Sequence, residues 1–261
     1  NETEAVVREE AAKMVAAFSI TDRAANINLA DDPKSVHDYR SDVFGYRFRA
    51  RANSWFEWSD LKESNDTADI GALSARGFGA VVMPICWQGA RPTDNAIYRI
   101  MMQQFGEDYP SDFITEEQAI EKDGASGKLF IGSEESEGQN FLYHHWVVAN
   151  DRCAYTLAGW GPAAEKKTKT ELVKLWNDLQ ILDASTASDN RYDSDDERRV
   201  NANLLNAMGL HYYEARSFRD AYRFFSNASD LVATDETFIT NTLRSLVEIS
   251  AYHEARDWLQ P

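Results

Sequence analysis

Residues 183–197, DASTASDNRYDSDDE, carry no large aliphatic side chain. A stretch of Ser, Asp and Asn has little to bury and reads as a connection, so the chain is divided there. Before it, apolar residues follow a period of two in some segments and of 3.6 in others; after it, only the 3.6 period remains. The expected organisation is a mixed domain over residues 1–183, a linker over 184–196 and helical hairpins over 197–261. A length of 261 residues suits two modest domains, and 7 Trp, 11 Tyr and 13 Phe supply a sizeable core.

In the first part, EAVVREEAAKMVAAF is expected to be an amphipathic helix with Val7, Ala11, Met14, Val15 and Phe18 on one face. Phe44, Tyr46, Phe48 and Ala50 alternate with Arg47, Arg49 and Arg51, which predicts a half-buried strand with an arginine face. The nearly continuous apolar run GFGAVVMPICW, residues 77–87, predicts a strand covered on both sides. Thr93 or Asp94 caps a helix that is expected to reach Phe105, and Gly106 ends it. Three further strand signals follow, GKLFIGS, NFLYHHWVVAN and RCAYTLAGW, the last two forming a hairpin around Asn150 and Asp151. The last predicted helix of this part bears Leu172, Leu175, Trp176, Leu179 and Leu182 as its stripe. The fold class is therefore α+β: an antiparallel sheet covered by helices, then an all-helical tail.

A net charge of −16 repels phosphate backbones and anionic bilayers, which argues against nucleic-acid partners, and no apolar run approaches the length of a membrane span, which argues against direct membrane insertion. Cys86 and Cys153 have no metal-ligand spacing. A disulfide between them is open in an oxidising compartment; two buried free thiols is the simpler expectation. Bacterial cytoplasm and periplasm both remain open as locations.

Within the tail, Leu205, Gly209, Tyr212, Ala221, Phe225 and Ala228 have the spacing of two closely crossing helices, with Gly209 expected to face Ala221. A shift of 34 residues maps Leu205 to Ile239, Tyr212 to Leu246, Ala221 to Ala255 and Phe225 to Leu259. This pattern resembles the tetratricopeptide repeat family, except that Ala233 stands where the closing proline is usual and Leu243 replaces the second glycine. The resemblance implies a surface for an extended or helical segment of a partner protein. A solenoid needs about three repeats, so further repeats after Pro261, or capping on the first domain or on a partner, are expected. The order of elements in the first domain, with a strand running into SWFEW, resembles the α/β/α sandwich of the PsbP-like proteins, which include bacterial envelope proteins and secretion chaperones.

Tyr213, Arg216, Arg219 and Arg223 fall off the packing set of the tail and are expected to be exposed, where arginines recognise acidic groups. Trp55, Trp58 and Trp87 stand near turns or strand ends; they pack in the core and rim or line a groove for a partner. His144 and His145 point to opposite faces of one strand, so they cannot chelate one metal together; one is expected to pack and the other to be solvated. DSDDE, residues 193–197, lacks the glycine and the terminal acid of a calcium loop, as Arg198 and Leu204 stand there, and reads as a helix N-terminus. GSEESEG, residues 132–138, reads as an acidic hairpin tip. No phosphate-loop, nucleophile-elbow or zinc-protease motif occurs, and no cofactor or metal is expected. The functional expectation is a non-enzymatic scaffold or chaperone-like module that binds a peptide or protein. The alternatives are a hydrolase using carboxylates of the first domain, or a small-ligand or lipid-binding domain.

Overall fold

The apolar run expected to be covered on both sides forms strand β5 (Gly79–Cys86), buried at every residue but the last. The structure, a computed structural model, describes residues 38–49, 55–57, 67–74, 77–104, 113–136, 138–182, 192, 194–251, 253 and 255. The expected helix over residues 4–18 lies outside the described residues, as do Phe105 and Gly106.

Antiparallel pairing builds two sheets. The small one places β2 (Tyr46–Phe48) between β1 (Tyr39–Ser41) and β10 (Leu179–Ile181). The large one has seven strands. Its order is β3 (Trp55–Glu57), β4 (Ile70–Ser74), β5, β9 (Cys153–Pro162), β8 (Gln139–Ala149), β7 (Ala125–Ser136) and β6 (Ile114–Lys122). The β8–β9 turn is held by Asn150, whose Oδ1 accepts the backbone N–H groups of Arg152 (2.9 Å) and Cys153 (2.8 Å). At the β6–β7 turn, Asp123 and Gly124 have φ values of 48° and 82°, the double left-handed conformation that a two-residue hairpin requires.

Helices cover both faces of the large sheet. Helix α1 (Asp94–Gln103) is capped by Thr93, whose side chain accepts from the Ala96 N–H, and it buries Ala96, Ile97, Ile100, Met101 and Met102. Its Tyr98 meets Phe130 edge-on at 5.6 Å. On the opposite face lies helix α2 (Thr168–Asp178), with Trp176 stacked on Trp146 at 5.7 Å and an interplanar angle of 6°. The small sheet shares that face; the Tyr155 hydroxyl donates to the Phe44 carbonyl at 2.7 Å.

Three expectations change here. Helix α2 stops at Asp178, because Leu179 and Ile181 turn inward as a strand beside β2 rather than extending the leucine stripe to Leu182. His144 and His145 are both buried, at 4% and 1% exposure, since the sheet is covered on both faces at this part of β8. Cys86 and Cys153 are not free thiols: they are direct partners across β5 and β9 and form a disulfide.

The tail consists of α3 (Asp195–Glu214), α4 (Phe218–Leu231) and α5 (Glu236–Glu248). Ser194–Glu197 of the DSDDE segment do start a helix: the Ser194 side chain accepts from the Glu197 N–H, and Asp195, Asp196 and Glu197 occupy the positive end of the dipole. Gly209 makes room for the Phe225 ring, since a Cβ there would lie 2.4 Å from that ring. Gly209→Ala is expected to cost about 2 kcal/mol, read as a lower urea midpoint at constant m-value.

α3 ends in a double hydrogen-bonded turn. The N–H of Arg216 donates to the Tyr213 carbonyl, and that of Ser217 donates to the Tyr212 carbonyl. Arg216 sits at φ 58°. The same arrangement recurs 34 residues later, where Ser250 has φ 60° and the N–H groups of Ser250 and Ala251 donate to Val247 and Leu246. A side chain in that conformation is strained, so Arg216→Gly should raise stability by about 1 kcal/mol in a thermal melt.

Candidate functional site

The tail is packed on the sandwich. Val200, Ala202, Leu204, Leu205 and Met208 of α3 belong to the same buried cluster as the sheet. Tyr212 stacks on Phe224 at 5.3 Å, and its hydroxyl accepts the N–H of Thr93 at 3.1 Å. The tightest join is at the end of β5, beyond the reach of β4, where Cys86 turns its backbone groups outward. Asn201, 2% exposed, takes the place of a neighbouring strand. Its Oδ1 accepts the Cys86 N–H at 2.8 Å, and its Nδ2 donates to the Cys86 carbonyl at 3.0 Å and to the Tyr192 hydroxyl at 2.7 Å. Removing that amide leaves two peptide groups without partners. Asn201→Ala should therefore destabilise by about 3 kcal/mol and speed hydrogen exchange at the Cys86 amide.

Docking leaves a cleft of about 500 Å³ at the seam. Its floor is the Cys86–Cys153 disulfide and the Trp87–Gly89 segment; Arg152 rises from the β8–β9 turn. One wall is the start of α3, with Arg198 and Asn201; the other is the end of α4, with Asn227 and Asp230. Asn227 Nδ2 donates to the Gln88 carbonyl at 3.4 Å, so α4 also touches the floor. Arg198 pairs with Asp195 at 2.9 Å, whose own side chain is 94% exposed. Arg152 is exposed and has no ion pair among the described residues. Burial raises the Asp230 carboxyl above the ordinary aspartate range and pushes the Tyr192 phenol up to about 12, which keeps that phenol neutral.

The residues expected to bind a partner do not converge. Tyr213 is half-buried, its hydroxyl 3.3 Å from Glu248 Oε1 and the Arg244 guanidinium 5.2 Å over its ring. Arg216 lies in the α3–α4 turn and Arg219 on the exposed face of α4. Arg223 leans the other way: its guanidinium lies 4.6 Å over the Phe224 ring and its aliphatic stem lies against Gly89. Trp87 is 6% exposed and donates its indole N–H to the Asp151 carbonyl at 3.1 Å, so it is floor rather than open groove. Trp55 stands in β3 opposite Ser74, and Trp58 lies outside the described residues. The sequence carries no binding signal at Arg152 or Asp230, and Arg198 enters it only as the residue standing where a calcium loop has glycine. Asn201 had a signal, a polar residue set into the apolar stripe of Val200, Leu204 and Leu205.

A second polar cluster is structural. Asp69 accepts from the Tyr39 hydroxyl at 3.1 Å and from that of Tyr46, and burial raises both phenols well above their ordinary range. Tyr46 is fully buried, so the cluster fastens the small sheet to β4 and offers no access to a substrate. Among the described residues no group of three His, Cys, Asp or Glu is placed to hold a metal ion, and no helix is long and apolar enough to cross a membrane.

No family model matches the chain, and no curated protein matches it. Solved structures do. A protein of Bacteroides thetaiotaomicron VPI-5482 is 9% identical, with 83% of this chain and 78% of that one covered and a TM-score of 0.40. LpqN, involved in cell envelope biogenesis of Mycobacterium tuberculosis, is 12% identical, with 52% of this chain and 83% of that one covered and a TM-score of 0.37. At these TM-scores neither likeness bears on what the chain does.

Proposed function

We propose that the chain is a non-enzymatic binding module, of scaffold or chaperone-like type, that engages a peptide or a protein partner at the seam between sandwich and tail. The observation that carries this reading is the seam cleft, about 500 Å³ in volume, whose walls come from both parts of the chain. Concave sites between docked units are favoured places for ligands. The tetratricopeptide-like spacing of the tail agrees with a role in binding, although α3 spends one face on the sandwich, so the partner surface lies at the junction. The disulfide favours an oxidising compartment over the cytoplasm.

A hydrolase would need two titratable groups facing each other in the cleft. Asp230 is the one carboxylate among its described lining residues, and the strongly shifted histidines sit within the sheet. A lipid site would need an apolar cavity, whereas this lining carries guanidinium, amide and carboxylate groups.

A photo-crosslinking amino acid placed at Asn227, on the cleft wall, is expected to trap a partner in cells, and the same group at Lys174 on α2 is not. Equal trapping from both positions, or none from Asn227, would sink the reading.

A further inference from the structure

We infer that the seam cleft is a receptor for side-chain carboxylates of an acidic peptide segment, a deepening that rests on the binding-module reading above. Within the cleft lining, cations outnumber carboxylates although the chain as a whole is anionic. The molecule carries −16, yet Arg152 and Arg198 stand against the single carboxylate of Asp230 in the cleft lining. Guanidinium groups set in a concave lining attract acidic segments that the net charge of the chain otherwise repels, so charge adds to contact in selecting the ligand.

Both arginines are available. Arg152 has no ion pair among the described residues, and its turn is fixed by Asn150, so the guanidinium is carried on a set backbone. Arg198 is engaged by Asp195, one turn away at 2.9 Å. That carboxylate is 94% exposed, and such surface pairs are worth little and exchange readily for a better acceptor. A guanidinium presents a planar fork that takes both oxygens of a carboxylate at once, which a lysine cannot do. Two forks on different elements favour two carboxylates of one segment over a single small anion. The lower wall is preorganised by the disulfide, by the Asn201 clamp and by the Trp87 indole bond to Asp151, so little ordering is required on binding.

The test is fluorescence anisotropy with labelled hexaglutamate, with labelled hexalysine as control and citrate as competitor. Wild-type protein is expected to bind hexaglutamate and not hexalysine, and citrate should compete only weakly. R152E/R198E, and the milder R152Q/R198Q in case the first fails to fold, should each weaken binding by roughly tenfold or more, whereas R219E on the exposed face of α4 should stay within about twofold. No hexaglutamate binding by wild type, or an equal loss in R219E, overturns the proposal. Citrate binding as tightly as hexaglutamate also overturns it, in favour of a small-anion site. If hexaglutamate fails to bind while Asn227 still traps a protein, the carboxylate receptor is wrong and the binding module stands. If hexaglutamate binds and nothing is trapped, the receptor stands and the protein-partner reading falls.

Discussion

Reducing the Cys86–Cys153 disulfide is expected to lower stability by about 4 kcal/mol, a fall of roughly 10 °C in a thermal melt. The magnitude follows from chain entropy. The bond closes a sequence separation of 67 residues, which contains α1 and the hairpins β6–β7 and β7–β8. Releasing that loop frees the unfolded chain far more than it disturbs the folded one, because Cys86 and Cys153 stay register partners within an intact ladder. The Trp87 N–H continues to donate to the Arg152 carbonyl, and Asn201 continues to hold Cys86. Cys86→Ala/Cys153→Ala should therefore melt near the reduced wild type and be indifferent to dithiothreitol. Wild type melting alike with and without reductant would show that the two thiols are not joined in solution.

The pairing also marks the limit of what local pattern carries. Period-two alternation located β2 and the β8–β9 hairpin, and the apolar run located β5. None of these sets which cysteine faces which, since β5 and β9 meet only after the whole β6–β8 meander has been laid down. Strand β6 left no pattern to find: Ile114–Lys122 is an edge strand with Glu and Gln along both faces and no fully buried residue. Leu179 shows the opposite failure. Its spacing continues a helical stripe, but pairing with β2 gives its backbone a ladder and its side chain a core, and tertiary context overrides the period.

The tail was more legible than the site. Gly209, Tyr212, Phe225 and Ala228 sit where close helix packing needs them, and the left-handed turn repeats at the 34-residue spacing despite Arg216 and Ser250 taking the place of glycine. The exposed residues between them gave a weaker guide. Tyr213 is drawn toward α5 and Arg223 toward the sandwich, contacts set by tertiary packing rather than by helix phase. Arg152 and Arg198 come from distant segments and share a cleft through the docking of α3, where Asn201 closes the end of β5. A long-range hydrogen bond of that kind leaves one local trace, a polar residue inside an apolar stripe, and it names neither its partner nor the cavity it creates.

Acidification should expose a second consequence of burial. His144 and His145 lie on opposite faces of a sheet that is covered on both, and both ring nitrogens of His144 lack a hydrogen-bond partner. Burial lowers the His144 pKa to about 4, with Lys169 adding to the effect and Glu116 opposing it. Burial lowers that of His145 to about 3, with His144 adding to the effect. Both rings are neutral in the fold, whereas an unfolded histidine protonates near pH 6.5. Below that pH the unfolded chain takes up protons that the folded chain refuses, so stability is full above about pH 6.5 and is lost as the pH falls toward 4. With His145 contributing most of its slope and His144 part of it, the expected loss across that window is on the order of 4 kcal/mol. Approach to the pI of 4.7 relaxes the repulsion of a −16 chain and acts in the opposite direction, so the wild-type curve alone is not diagnostic. The decisive measurement is urea unfolding of wild type and His144→Asn/His145→Asn at matched pH values from 7.5 to 4. The variant should start less stable and lose stability more slowly on acidification, the two curves converging toward low pH. Parallel curves would mean that the two imidazoles are solvated or charged in the folded protein, and that the sheet is not sealed on both faces.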